Sequence, residues 1–227
     1  MHLKKIATLV FTAALTSMAT PISVNADVPT TPGWFAVPNS KLEPVCATKN
    51  GFPQVAGVQG CPALLNWSGA VYDSKRHRLV IWGGGHNDYY GNELYAFNLA
   101  NLTTVRLNDP GLPIATTCSD AIANGTQPNS RHTYDGIEYM PNVDRMFVFG
   151  GAPACSTGGI SRDTWTFDFT TMQWQRMNPT GTIPRQTPGV TTAYDPNTGL
   201  IFLHDGYDLY SYSFQTDTFK QLSNGSV

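Results

Sequence analysis

Side chains that can bind a ligand or transfer a proton are concentrated in three short stretches of this chain. The first, residues 85–92, carries a histidine, an aspartate and two tyrosines. The second holds an arginine, a histidine and a tyrosine, and the third is a His-Asp doublet. Histidine and tyrosine can move protons, arginine can neutralise an anion, and tyrosine can stack on a ligand. The candidate ligand-binding residues are His86, Asn87, Asp88, Tyr89, Tyr90, Arg131, His132, Tyr134, His204 and Asp205.

Four of them, His86, Tyr89, Arg131 and His132, form the candidate catalytic set. β-Elimination of a uronic-acid polymer needs a cation at the sugar carboxylate, a base for the C5 proton and an acid at the leaving oxygen. These residue types supply all three. The simpler alternative is that Arg131 and His132 only satisfy backbone carbonyls between blades, and that His204 is a hydrogen-bonded packing residue. No Gly-x-Ser-x-Gly, His-Glu-x-x-His or phosphate-loop motif points to another chemistry.

The elements that must position these residues belong to a unit that occurs three times. Residues 78–84 read Arg-Leu-Val-Ile-Trp-Gly-Gly, and residues 145–151 read Arg-Met-Phe-Val-Phe-Gly-Gly. A weaker copy at 200–206 ends in Asp-Gly, and an aromatic strand follows each copy. Repeats of roughly 50 residues with Gly-Gly after an apolar strand are typical of propeller blades. The twelve predicted strands are 68–73, 78–82, 93–99, 103–107, 133–139, 145–149, 164–169, 173–177, 191–195, 200–204, 209–214 and 218–222.

The glycines and aromatic residues of the unit have physical roles. The second strand must end abruptly and let the chain pass close to its neighbour, which requires a positive φ or the absence of a Cβ. No stretch combines a 3.6-residue period with capping residues, so we expect minimal helix. The aromatic residues predicted to fill the space between adjacent blades are Tyr95, Trp165, Trp174, Tyr210 and Phe219.

This pattern, over residues 67–222, resembles the kelch family of β-propellers. The matching features are the two Gly-Gly pairs, the third strands that begin with Asn or Asp, and Trp174. The third copy departs from the pattern at Asp205, and the first has Val105 in place of the outer tryptophan. The resemblance implies an all-β propeller of four-stranded blades, six or seven in most members, and nothing specific about function.

Three blades are predicted, over about 67–110, 130–180 and 189–223. Because propellers typically close with four to eight blades, we expect this chain to be a fragment of a six- or seven-bladed ring, incomplete at the C-terminus. Pairing with a second copy is the other way to close the ring. Residues 27–66, rich in proline, are predicted to be an extended segment packed against the blades.

Propeller geometry brings the candidate residues to one face. The loop between the second and third strands and the loop into the next inner strand open on the same side, called the top face below. His86, His132 and His204 would therefore surround one opening, the mouth of the central channel. We predict no cofactor and no metal site, although a metal held at this face by histidines and a carboxylate stays open.

The N-terminus predicts export. Lys4 and Lys5 precede an apolar run, and Val-Asn-Ala at 24–26 fits a cleavage site, which indicates a signal peptide over 1–26. No later stretch is apolar for long enough to span a membrane. The formal charge is −2 and only 13% of residues are charged, so nucleic acid is excluded as a partner. The expected location is secreted or periplasmic.

The four cysteines predict two disulfides. An even number of cysteines in an exported chain indicates a disulfide framework, for which three connectivities exist. We favour Cys46–Cys61, which would staple the N-terminal segment. The other pair, Cys118–Cys155, would tie the loop before blade 2 to a loop inside it.

Three functions fit these observations. The first is recognition of a glycan or another polar small ligand at the top face, with tyrosines as stacking platforms. The second is the polysaccharide lyase described above, a chemistry known on seven-bladed propellers. The third is a copper radical oxidase similar to galactose oxidase. That family needs a Tyr-His pair and a Cys crosslinked to Tyr, and this sequence has no Tyr-His dipeptide.

Overall fold

The computed structural model describes residues 30–223 and 225. Within this range the chain forms strands and four short 3-10 helices, and no helix is long and apolar enough to cross a membrane. The predicted signal peptide over 1–26 lies outside the described residues. The strands are β1 (Ala70–Asp73), β2 (Arg78–Ile81), β3 (Tyr95–Asn98), β4 (Thr103–Arg106), β5 (Arg131–His132), β6 (Ile137–Met140), β7 (Arg145–Phe149), β8 (Ala152–Pro153), β9 (Thr164–Asp168), β10 (Gln173–Arg176), β11 (Thr180–Gly181), β12 (Thr191–Asp195), β13 (Leu200–His204), β14 (Leu209–Ser213) and β15 (Thr218–Ser223).

Three antiparallel meanders confirm the predicted blades. Blade 1 has the order β1-β2-β3-β4, blade 2 the order β6-β7-β9-β10, and blade 3 the order β12-β13-β14-β15. β5 and β8 form an additional short pair at the start of blade 2. β11, which was not among the predicted strands, pairs in parallel with β15 and adds a fifth strand to blade 3. The total number of blades in a closed ring stays a prediction.

The inner strand of blade 2 is shorter than predicted because a turn precedes it. We expected it to begin at Thr133, but it begins at Ile137. Tyr134 has a φ of 50°, in the left-handed region, and the Gly136 N–H donates to the Thr133 carbonyl at 2.8 Å. The turn therefore ends the extended backbone that started at β5.

Aromatic side chains fill the spaces between blades, as predicted for four of the five. Trp165 and Trp174 pack between blades 1 and 2, where the rings of Trp82 and Trp174 are 4.8 Å apart. Tyr210 and Phe219 pack between blades 2 and 3. Burial of such large apolar rings is the main favourable contribution to the docking of one blade on the next.

Tyr95 packs against the N-terminal segment, and not against a blade. This segment covers the outer face of blade 1 with Leu42, Val55 and Leu64. We expected it to be extended, but residues 43–65 coil into four 3-10 helices, three of which have a proline at their first or second position. Proline suits the first position of a helix because its missing N–H is not needed there. The disulfide Cys46–Cys61 closes this coil, which confirms the first predicted pair.

Glycines at the ends of the second strands permit close contact between neighbouring blades. Gly85 and Gly151 have φ values of 83° and 92°. A Cβ at Gly85 would stand 2.3 Å from the Cα of Arg131, and one at Gly151 would stand 2.4 Å from the carbonyl oxygen of His132. Both glycines therefore let the backbone press against β5, the strand that carries two candidate site residues.

Candidate functional site

The loop at 86–90 is held on two sides by backbone hydrogen bonds. Toward blade 2, the His86 N–H donates to the carbonyl of Pro153 at 3.2 Å, and the Cys155 N–H donates to the carbonyl of His86 at 2.6 Å. Toward the N-terminal segment, Val58 and Gln59 donate to the carbonyls of Asn87 and Asp88. The second predicted disulfide, Cys118–Cys155, is confirmed and lies beside this loop. The side chains of the loop are thus presented by a fixed backbone.

His86 and His132 form a stacked pair across blades 1 and 2. Their ring centroids are 5.6 Å apart and the planes differ by 18°. Asp88 Oδ2 lies 2.9 Å from His132 Nε2, and Asp88 Oδ1 accepts a hydrogen bond from Gln59 at 2.5 Å. Because a carboxylate only accepts, Nε2 of His132 carries the proton and Nδ1 of the neutral ring is left as an acceptor.

The environment of His132 favours its neutral form. Burial lowers the pKa of this imidazole, Asp88 opposes that effect, and the neighbouring His86 adds to it. The net pKa lies below the ordinary value. At neutral pH the ring is therefore uncharged and oriented by a carboxylate.

Two aromatic rings border the histidine pair. Trp67 is 63% exposed, and its ring centroid lies 6.3 Å from those of both His132 and Tyr134. Tyr134 meets His132 edge to face at 6.0 Å. Trp67, Tyr134 and His86 all have positive φ, at 59°, 50° and 45°. Such a backbone is uncommon for bulky residues and is concentrated at functional sites. Trp67, His86, Asp88, His132 and Tyr134 are called the histidine site below.

Sequence reasoning did not propose Trp67 as a site residue, although a signal was present. Trp67 stands two residues before Gly69, and Tyr134 stands two residues before Gly136. The two aromatic residues therefore occupy equivalent positions in blades 1 and 2. The Tyr134 N–H donates to the carbonyl of Trp67 at 2.8 Å, which joins these positions directly. An alignment of the inner strands at their glycines would have identified Trp67.

Arg131 is completely buried below the histidine site and cannot reach a ligand. Its guanidinium pairs with Asp163 at 2.5 Å and donates to Ser161 and to the carbonyls of Gly150, Asn129 and Asp120. Burial raises the pKa of the Asp163 carboxyl, but the Arg131 charge and hydrogen bonds outweigh burial and lower it overall. Both partners are therefore charged. For Arg131 these contacts favour the alternative interpretation, in which it satisfies backbone carbonyls, over contact with a ligand.

Tyr89 is also buried, within a polar cluster beneath the loop. Its hydroxyl donates to Glu93 Oε1 at 2.5 Å, and the Tyr95 hydroxyl donates to the same oxygen at 2.6 Å. Tyr95 in turn accepts a hydrogen bond from the N–H of Ala47 in the N-terminal segment. Burial, followed by the charge of Glu93, raises the pKa of Tyr89 far above its ordinary value. Tyr89 is therefore a structural residue, and a role in proton transfer to a ligand is not open to it.

Asn87 and Tyr90 are partly buried and bonded to each other. The Tyr90 hydroxyl donates to Asn87 Oδ1 at 2.7 Å, and the Tyr90 N–H donates to the carbonyl of Val55. Their side chains stabilise the shape of the loop.

His204 and Asp205 belong to a tight turn of blade 3. His204 is exposed, and its Nδ1 accepts a hydrogen bond from the N–H of Gly206. Asp205 is buried and accepts from the N–H groups of Arg185, Tyr207 and Asp208. Burial raises the pKa of Asp205, but these N–H donors outweigh burial and lower it. The bonds of both residues are within blade 3 and the segment leading to it, whereas the histidine site is built from blades 1 and 2.

The donor groups of the described residues do not form a metal centre. No cluster of three or more His, Cys, Asp or Glu side chains within 30–223 is arranged to hold a metal ion. All four cysteines are in disulfides, so none is left for the Cys–Tyr crosslink that a copper radical oxidase requires. The histidine site instead offers an exposed indole, two imidazoles and a carboxylate, which suit a polar ligand with a flat or apolar face.

The fold and a family comparison agree. No curated protein matches the sequence. The family model described as the KLHDC2/KLHL20/DRC7 Kelch-repeats domain matches residues 53–226, which is more than half of the chain. The match includes all three blades and the histidine site. The chain therefore belongs to the Kelch-repeats domain family and carries a β-propeller binding module.

Proposed function

We propose that this protein is an exported module that binds a glycan at the histidine site. The observation that carries the proposal is Trp67, a large exposed ring that stands beside Tyr134 and the stacked histidines. A sugar presents an apolar C–H face and a rim of hydroxyls. Trp67 can cover the first, while the free nitrogen of His132 and the imidazole of His86 can bind the second.

The rigidity of the site supports binding. The 86–90 loop is bonded to both the N-terminal segment and blade 2, and Asp88 fixes the ring of His132. A preorganised site loses little conformational entropy when a ligand binds. Because Trp67 is 63% exposed, burial of its ring offsets little of the strain in its positive-φ backbone.

Export is part of the proposal. The predicted signal peptide supports it, and the two disulfides favour an oxidising compartment. A low content of charged residues, 13%, also leaves a neutral polar surface.

The test is glycan binding by the wild type and by matched tryptophan variants. A glycan array identifies a ligand, and titration calorimetry measures its Kd. We expect Trp67→Ala to weaken binding at least about tenfold, because truncation of an aromatic hot-spot residue costs about 2 kcal/mol or more. The control is Trp34→Ala, which removes a fully exposed tryptophan of the N-terminal segment. Equal effects of the two variants, or no glycan bound by the wild type, would refute the proposal.

A polysaccharide lyase is the second candidate because His132 has the arrangement of a general base. Its ring is oriented by Asp88 and is neutral at pH 7. The reaction would, however, have to proceed without Arg131 and Tyr89, which are buried. Incubation with acidic polysaccharides distinguishes the two functions: a lyase produces the ultraviolet absorbance of an unsaturated uronate, and a binding module leaves the polymer intact.

A further inference from the structure

A cavity lies at the end of the inner strands opposite to the histidine site. β1, β6 and β12 run in the same sense from the top face, and the histidine site lies near the starts of the first two. A cavity of about 340 Å³ lies near the ends of all three, lined by Tyr72, Glu138, Tyr194 and the adjoining turns. It shares no residue with the histidine site.

Glu138 enters this cavity without a compensating cation. No lysine, arginine or histidine of the described residues forms an ion pair with it. Its carboxyl has a backbone hydrogen bond with Tyr194, and the Thr192 hydroxyl, which donates to the carbonyl of Asp135, lies 3.4 Å from Oε1. The nearby basic side chains of Lys75 and Arg76 are bonded to Asp144. Burial first, and then the charge of Asp135, raise the pKa of Glu138 to about 7. An unpaired, half-buried acid in a cavity is a feature of binding sites.

Two tyrosine rings accompany the carboxyl group. Tyr72 is 48% exposed, and its hydroxyl is fixed by His77 Nδ1 at 2.7 Å. Tyr194 stands at the equivalent position of blade 3, one residue before the end of the inner strand. The face of a tyrosine ring attracts a cation through its quadrupole, and more strongly when water is excluded.

We propose that this cavity binds an organic ammonium ion, with Glu138 as its counter-ion and the rings of Tyr72 and Tyr194 against its alkyl groups. A metal ion fits the cavity less well, because Ca²⁺ needs six to eight oxygen ligands. The other inner-strand acids at this end already have partners: Asp73 pairs with Arg76 and Arg78, and Asp195 is bonded to the Asn197 N–H and the Thr198 hydroxyl of its own turn. A cavity with one carboxylate and two tyrosine rings therefore favours an organic ammonium ion over a metal ion.

Binding is coupled to proton release. The groups that face or influence Glu138 are Asp135, Thr192 and Tyr194, none of them a cation. An ammonium ion beside the carboxyl favours its charged form and lowers its pKa. Wild-type protein therefore releases a fraction of a proton on binding near pH 7, which calorimetry in two buffers of different ionisation enthalpy measures.

The probe is choline, compared with its uncharged isostere 3,3-dimethylbutan-1-ol and with Ca²⁺, titrated into the full chain. We expect choline to bind with proton release and Glu138→Gln to weaken binding at least tenfold and to abolish the release. The exposed Glu43→Gln is the matched control and leaves both unchanged. Tyr72→Leu, at a half-exposed position where folding is retained, weakens binding severalfold. Equal binding of the neutral isostere, preference for Ca²⁺, no binding of choline, or unchanged binding by Glu138→Gln would overturn the proposal.

Discussion

At the scale of single residues, neighbours decide which buried groups carry charge. Arg131 and Asp163 are both charged because each has the other as its partner. Glu93 has only hydroxyl donors on one oxygen, and its Oε2 has no partner among the described residues. Burial outweighs these hydroxyl bonds and raises the pKa of Glu93. Similar burial produces opposite protonation behaviour, according to whether a cation is present.

The raised pKa of Glu93 makes stability depend on pH. Its pKa is raised on folding, so the folded state binds a proton that the unfolded state releases above about pH 4.3. The free energy of unfolding therefore falls as pH rises from that value toward the folded pKa. We predict that Glu93→Gln flattens this slope in urea unfolding between pH 5 and 8. The exposed Asp109→Asn should leave the slope as in wild type; an unchanged slope in Glu93→Gln would contradict the assignment.

The titration of His132 reports the geometry of the histidine site. Asp88 raises the pKa of His132 and His86 lowers it, against a background of burial that lowers it. We predict that Asp88→Asn shifts the pKa further down and that His86→Ala shifts it up. A pH titration of the imidazole resonances by NMR measures both. Shifts of the same sign would show that the contacts at His132 differ from those described.

At the scale of elements, the glycines after the second strands set how closely blades approach. Gly151 and Gly206 have nearly the same backbone, with φ values of 92° and 90°. A Cβ at Gly206 would meet nothing within 4 Å, whereas one at Gly151 would meet the His132 carbonyl. Alanine at Gly206 would therefore cause backbone strain alone, whereas alanine at Gly151 would cause the same strain and a steric clash with β5.

We predict that Gly206→Ala lowers the free energy of unfolding by about 1–2 kcal/mol, the usual cost of a left-handed residue with a Cβ. Gly151→Ala should cost clearly more, because β5 must move away. Urea unfolding of both variants gives the comparison. Equal losses would mean that the contact between Gly151 and β5 is not tight.

We expect the two disulfides to differ in their effect on ligand binding. Their loops, with sequence separations of 15 and 37 residues, predict stabilisation of about 3 and 4 kcal/mol by the loop-entropy model. Only Cys155 is bonded to the histidine-site loop, through the carbonyl of His86. We predict that the Cys118→Ser/Cys155→Ser variant weakens glycan binding more than the Cys46→Ser/Cys61→Ser variant. Binding is measured below the unfolding temperature of both, and a greater loss in the second variant would contradict this.

At the scale of the whole molecule, the sequence predicted the fold well and predicted the candidate site only in part. Alternating strands and Gly-Gly pairs place the blade strands within a few residues, because both signals are local. The site depended on contacts that the sequence does not display. Arg131 finds Asp163 32 residues away, and Tyr89 is covered by the N-terminal segment. Side-chain type alone does not separate these buried residues from the partly buried His86, and Trp67 becomes evident only when the blades are superposed.

The measurement that tests the glycan site most directly is an NMR titration of the wild-type chain with the tightest-binding oligosaccharide from the array. The account predicts that the indole resonance of Trp67 and the imidazole resonances of His86 and His132 shift together and saturate at one Kd. The resonances of Trp34 and His204 should stay in place. Shifts confined to Trp34, His204 or other residues outside the histidine site would contradict the account.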